Sequence, residues 1–241
     1  MSLPATRSTL LIAAALTAAG LVTGGYLLGD GLRRARMADR SVTVRGLAER
    51  NVTADLATWT VVFSETGTEL ALVQGSIDEQ SRAVRAFFAR AGFPANAVSD
   101  TGASVNQFFD NNRQQNVVTV RRRLQLRTAD AMRARSAFAR QADLIRAGVP
   151  LEDGSGITYS FTKLNAIKPA MIAESTRSAR ASAEQFAEDS GADVGGIKSA
   201  TQGYFSIGAR DGDVDGEGGG SAGGSPLQKV RVVTTIDFYL R

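Results

Sequence analysis

The sequence predicts an α+β fold: antiparallel or mixed sheets with three packed helices, preceded by one N-terminal transmembrane helix. Three observations carry this. Residues 8–29 contain no charged side chain. As a helix rising about 1.5 Å per residue they span roughly 33 Å, against a hydrocarbon core of about 30 Å. From residue 41 onward, segments that alternate apolar and polar residues are interleaved with segments of helical spacing. The alternating segments come in hairpin order, without the spacing of a βαβ unit, which favours helices layered on antiparallel sheet.

The stretch LLIAAALTAAGLVTGGYLL (residues 10–28) is rich in Ala, Gly and Thr. It reads either as an uncleaved anchor or as a signal peptide. In the second case Arg7 is the charged start, residues 10–16 the apolar stretch and Thr17-Ala18-Ala19 the cleavage site. Leu21, Val22, Tyr26, Leu27 and Leu28 continue the apolar run past that site, which favours the anchor. The expected organisation is a cytoplasmic N-terminus at 1–7, a transmembrane signal anchor at 8–29, a juxtamembrane linker at 30–40 and a domain at 41–241. Arg33, Arg34, Arg36 and Arg40 follow the span, so the positive-inside rule alone puts that domain in the cytoplasm. Gly20 and Gly24, and Gly25 and Gly29, are spaced as small-xxx-small pairs and are candidate oligomerisation contacts between helices. Taken alone, the pairs are also what glycine-rich membrane helices show by composition.

In the domain, 41–50 and 52–65 read as two strands, turning at Asn51. Val42 and Val44 share one face of the first; Ala57, Trp59, Val61 and Phe63 share one face of the second. Leu70, Val73, Ile77, Val84, Phe88 and Ala91 recur at helical spacing before Gly92 and Pro94 stop them. Residues 98–109 and 115–127 form a hairpin around the tip Asp110-Asn111-Asn112-Arg113. There Val118, Val120, Leu124 and Leu126 face one way and Thr119, Arg121, Arg123 and Gln125 the other. Arg122 falls on the apolar side, where it requires a partner or an edge position. Residues 129–146 read as a second helix with Phe138, Ala142 and Ile145 buried. A strand at 157–165 follows, then a third helix opened by Pro169 with the stripe Ile172, Thr176, Ala179, Ala183 and Phe186. Strands at 194–207 and 228–241 finish the chain. The last carries Val230, Val232, Thr234, Ile236, Phe238 and Leu240 on one face.

Of 28 basic and 24 acidic residues, Arg7, Arg33, Arg34, Arg36 and Asp30 belong to the N-terminal segment, so the rest is nearly neutral. A neutral domain is not an electrostatic nucleic-acid binder, and the cluster Arg121, Arg122, Arg123 and Arg127 reads as an outward polar strand face. The chain has no Cys and no His. That removes Cys-His and Ser-His nucleophiles, zinc sites of the usual ligands, and disulfides. No phosphate-binding glycine loop follows a strand and no spaced carboxylate pair stands out from surface charge, so no enzymatic role, no catalytic residue and no cofactor is expected.

Residues 208–226, GARDGDVDGEGGGSAGGSP, lie between the last two strands. Asp211, Asp213 and Asp215 before Gly216 imitate the start of an EF-hand loop, a weak Ca²⁺ candidate. The twelfth position is Ala222 instead of Glu, and no helices flank the loop. Its composition is that of a flexible linker, and no metal site is expected.

VTVRGLAERNVTADLATWTVVF (42–63), KPAMIAESTRSARASAEQFAEDSG (168–191) and KVRVVTTIDFYLR (229–241) resemble stretches of the SIMPL-domain family, also called DUF541, which includes a Brucella envelope antigen. The resemblance covers residues 41–241. It implies a bacterial cell-envelope protein of α+β fold whose members assemble into large rings or cages, with no catalytic motif to carry over. It also reverses the orientation read from charge, because members are exported. The expectation is therefore an inner-membrane, single-pass protein with its domain in the periplasm, or a protein released there after signal cleavage. The expected partners are further copies of the chain and the bilayer, and the expected role is structural. The alternative is a periplasmic module that binds a small ligand or a partner protein, by strand addition to an exposed edge in the latter case.

Overall fold

The computed structural model describes residues 7–38, 40–112, 114–211 and 222–241. The fold is α+β. In order, α1 (Arg7–Ala38) precedes β1 (Ser41–Thr53), β2 (Leu56–Gly67), α2 (Leu70–Arg90), β3 (Val98–Asp110), β4 (Gln115–Thr128), α3 (Ala131–Phe138) and α4 (Ala142–Arg146). Then come β5 (Gly156–Ser160), α5 (Leu164–Asp189), β6 (Val194–Gln202), β7 (Ser206–Ala209) and β8 (Leu227–Leu240). One four-stranded sheet has the order β1-β8-β6, with β7 also on β8; the other is β3-β4-β2-β5. Two compact units divide the chain. One holds Met1–Ala48, Ile172–Gly203 and Val233–Arg241, the other Glu49–Met171 and Tyr204–Val232.

The larger unit is built on β2 and β4, whose register sets Trp59 opposite Leu126 and Val61 opposite Leu124. Their alternation places these residues, with Ala57 and Phe63, in one core with Val73, Ile77, Val84 and Phe88 of α2. Trp59 is 1% exposed. It meets Phe88, Phe138 and Phe87 edge-on, with ring centroids 5.0, 5.1 and 5.8 Å away. Helix α2 stops at Gly92, whose φ of 86° lies where a side chain is strained. Arg122 does face the core side, opposite Phe63. The interior β4 gives it no escape to an edge, so it takes partners: Asp78 at 2.8 Å, the Ser81 hydroxyl at 3.0 Å and Asp100 at 3.6 Å.

Several boundaries differ from those the sequence predicts. The turn after β1 lies at Ala54 and Asp55 instead of Asn51, because the Ala54 N–H donates to the Pro226 carbonyl at 2.7 Å and pairing extends to that point. The helix expected over 129–146 breaks into α3 and α4. The N–H groups of Arg140 and Gln141 bond three residues back, to Ala137 and Phe138, which tightens the chain there. The break rotates the following turn so that Leu144 is fully buried and Ile145 is 59% exposed. Strand β5 ends at Ser160, where Asp55 accepts from the Thr162 N–H at 2.7 Å and from its hydroxyl at 3.1 Å. Helix α5 therefore starts at Leu164 and carries Pro169 inside instead of at its first turn.

In the smaller unit, α5 lies against the ends of β1 and β8. Its inward stripe is Ser175, Ala179, Ala183 and Ala187, one residue every four, and Phe186 is 53% exposed. Of the five residues of the expected stripe only Ala179 and Ala183 are buried, and the reason is distance. A Cβ on Gly46 of β1 would lie 1.9 Å from the Ser175 carbonyl oxygen and 2.5 Å from the Ala179 nitrogen. Only small side chains fit at that approach, with Val42, Ile236 and Phe238 completing the core. The Ser175 and Thr234 hydroxyls bond to each other at 2.8 Å within it. The strand expected over 194–207 ends as β6 at Gln202, and Gly203 donates to the Val233 carbonyl at 2.8 Å.

The transmembrane reading of residues 8–29 is not supported: among the described residues, no helix is long and apolar enough to cross a membrane. Residues 8–29 do lie in a helix, α1.

Candidate interaction site

Strand β3 forms one edge of its sheet and, among the described residues, pairs only with β4. Val98 is buried, and every residue from 99 to 109 is exposed. The strand reads VSDTGASVNQFFD, with no Lys, Arg or Pro. Natural edges are usually blunted by such residues, or by a bulge. Here the devices are a register shift between Asp100 and Gly102 and the charges of Asp100 and Asp110. Val105, Phe108 and Phe109 are 57%, 53% and 50% exposed. Val105 lies opposite Val120 and Phe108, three residues on, opposite Val117, so apolar groups project on both faces of the edge. At the tip, Asp110 accepts from the Asn112 N–H at 2.9 Å and holds the hairpin shut.

The sheet face turned away from α2 is polar. Arg121 lies opposite Ser64 on β2 and Ser104 on β3; Arg123 lies opposite Val62 and Gly102. Glu152 accepts from the Ser64 hydroxyl and pairs with the Arg121 Nε at 2.7 Å. A recess of about 190 Å³ opens between the strands, lined by Gly102, Ala103, Ser104, Arg121 and Arg123. A second, more apolar groove of about 290 Å³ lies where α2 ends and β3 begins, walled by Phe88, Phe93, Pro94 and Val98. Arg85 stands at its margin and donates to the Val98 carbonyl at 3.3 Å.

In the smaller unit, Asp237 on β8 accepts from the Thr43 hydroxyl of β1 at 2.6 Å and from the Ser199 hydroxyl of β6. The Ser199 bond, then the Thr43 bond, holds its carboxyl below the usual aspartate range. This carboxylate ties three neighbouring strands together. In the larger unit, burial pushes the Tyr159 phenol up, against the opposing charge of Arg135.

Gly20, Gly24, Gly25 and Gly29 all lie on α1, and a Cβ at any of them would meet nothing within 4 Å. Asp211 ends the described stretch after β7, and Asp213 and Asp215 lie outside the described residues. No group of three metal-ligating side chains occurs among the described residues. The terminal strand, β8, is interior to its sheet, between β1 on one side and β6 and β7 on the other. Strand β3 is an exposed edge, as is β6 over residues 196–202 in the other sheet. The sequence of β3 gives little warning, because Val105, Phe108 and Phe109 depart from period two and fall at i, i+3, i+4, a spacing that belongs to a helix face.

No curated protein matches the chain in sequence. The model of the SIMPL family, described as a protein of unknown function (DUF541), matches residues 42–238, and the chain belongs to that family.

Proposed function

We propose that this SIMPL protein is a self-assembling component of the cell envelope, with a structural role, in which copies join through the open edge of β3 into a homo-oligomeric ring or cage. The observation that carries the proposal is the edge itself. It is a strand of 13 residues, exposed from 99 to 109 and unguarded by cations, with Val105, Phe108 and Phe109 presented to solvent. Adding a strand satisfies its free N–H and C=O groups and buries those side chains together. Helix α1 contributes a contact with the inner membrane, since Leu16, Leu21, Val22, Leu27 and Leu28 are more than half exposed along it. The domain then faces the periplasm, as the family resemblance implies.

Light scattering on the detergent-solubilised chain tests the assembly. The expected mass is many times the monomer, falling toward the monomer in Val105→Lys/Phe108→Lys, which places cations on the edge. A wild-type monomer at high concentration overturns the proposal. Cell fractionation with alkaline extraction tests the membrane contact separately.

A second reading rests on the groove at the end of α2. Its apolar walls and marginal Arg85 suit a small apolar ligand bearing a carboxylate. Saturable binding of a medium-chain fatty acid to a monomeric protein favours this reading over assembly.

A further inference from the structure

We propose that the helix-free face of the β3-β4-β2-β5 sheet binds a phosphate group in the recess between Arg121 and Arg123. Residues two apart on one strand share a face, about 6.8 Å apart along it. The pair therefore presents two guanidinium groups side by side, with one carboxylate nearby. That carboxylate, Glu152, is engaged by the Arg121 Nε at 2.7 Å and by the Ser64 hydroxyl, which leaves the two terminal nitrogens of Arg121 for other acceptors. Arg123 makes no ion pair or side-chain hydrogen bond among the described residues, and it is exposed. Across from the two arginines, β3 carries Ser104 and Gly102, and a Cβ at Gly102 would meet nothing within 4 Å. These small residues hold the recess of about 190 Å³ open, and Ser104 supplies a hydroxyl at its wall.

The geometry selects the ligand. Guanidinium is a planar fork that bonds oxyanions in pairs. One fork engages both oxygens of a carboxylate, whereas a phosphate group has separate oxygens for both forks and for the Ser104 hydroxyl. Arg127 continues the same row further along β4, opposite Thr58. The face carries no aromatic ring between these arginines, so nothing on it stacks on a base or a sugar. A phosphate ester fits better than a nucleic acid.

The test is calorimetric titration of the full chain with inorganic phosphate at ionic strength held constant by chloride. Saturable binding is expected, weakened about tenfold or more in Arg123→Gln, the effect of losing one charge-assisted contact. Ser104→Leu keeps both arginines and fills the recess, and is expected to abolish binding, which separates a shaped site from diffuse charge. Acetate is expected to bind at least about tenfold more weakly than phosphate. Sedimentation with phosphatidylglycerol and phosphatidylcholine vesicles identifies the source of the group. Pelleting with the anionic vesicles that is lost in Arg123→Gln points to a lipid headgroup. Phosphate binding without such a difference points to a soluble ester. Absence of saturable phosphate binding, or equal affinity in wild type and both variants with unchanged circular dichroism, overturns the proposal. Particle mass measured on the same samples reports the assembly independently.

Discussion

Replacing Trp59 by alanine tests the core of the larger unit most directly. The side chain is 1% exposed. An aromatic of this size buries about 200 Å², which at about 25 cal/mol per Å² corresponds to roughly 5 kcal/mol. The unfolded chain already shields part of that area, which lowers the figure to about 3–4.5 kcal/mol. Two further effects act in the opposite direction. The edge-on contacts with Phe87, Phe88 and Phe138 are lost, each worth about 0.5–1.5 kcal/mol beyond area. The hole left among those rings and Leu126 also collapses only in part. The expected loss is about 4 kcal/mol, a large share of the roughly 5–15 kcal/mol that holds a domain folded. Urea unfolding followed by far-ultraviolet circular dichroism measures it without relying on the deleted fluorophore. With a slope near about 3 kcal/mol per M, the midpoint falls by about 1.3 M. Trp59→Phe, which keeps an aromatic ring against the same neighbours, is expected to lose less than half as much. A midpoint shift under about 0.3 M in the alanine variant refutes the placement of this residue as the centre of the core.

Two more predictions concern the smaller unit. Gly46→Ala puts a methyl group 1.9 Å from the Ser175 carbonyl; since backbone must move, a loss of about 3 kcal/mol or more is expected by thermal unfolding, and an unchanged midpoint refutes the close approach. Asp237 has its folded pKa lowered from the usual 3.8. It therefore contributes stability that is present above the unfolded pKa and is lost as pH falls through the folded one. Asp237→Asn is expected to flatten the decline in melting temperature below about pH 4, and an identical acid-side profile in wild type and variant refutes the role of the Thr43 and Ser199 bonds.

Sequence periodicity located the elements whose environment is uniform along their length. Strands β2, β4 and β8 each pack one face against a core, so alternation alone marked Trp59, Val61, Leu124, Leu126, Val230 and Phe238, all of which are buried. It also flagged Arg122 as a charge on the wrong face, and the structure supplies Asp78, Ser81 and Asp100 around it. Periodicity failed where a neighbour far along the chain decides the local outcome. Nothing within 164–189 distinguishes the Ser175, Ala179, Ala183 stripe from one turned toward Phe186. The choice is made by Gly46, more than a hundred residues away, which brings the strand so close that a larger side chain cannot enter. The break between α3 and α4 is a tertiary outcome of the same kind, since Leu144 and Ile145 are equally apolar and only one reaches the core.

The candidate site was the least legible part, for a physical reason. A surface that waits for a partner obeys neither the burial pattern of a core nor the polar pattern of a free surface. Val105, Phe108 and Phe109 break the alternation on β3, and among the described residues neither face of that edge is covered. The arginines of β4 have a regular spacing, but spacing alone does not separate a solvated row from a binding row. What separates them is the pairing partner. Register sets Arg121 and Arg123 against Ser104 and Gly102, and that juxtaposition, made by two strands folding back on each other, creates a recess where the sequence shows an ordinary charged face. Irregular apolar residues on one strand of a hairpin, beside regular cations on the other, are therefore the feature to read when burial patterns give no site.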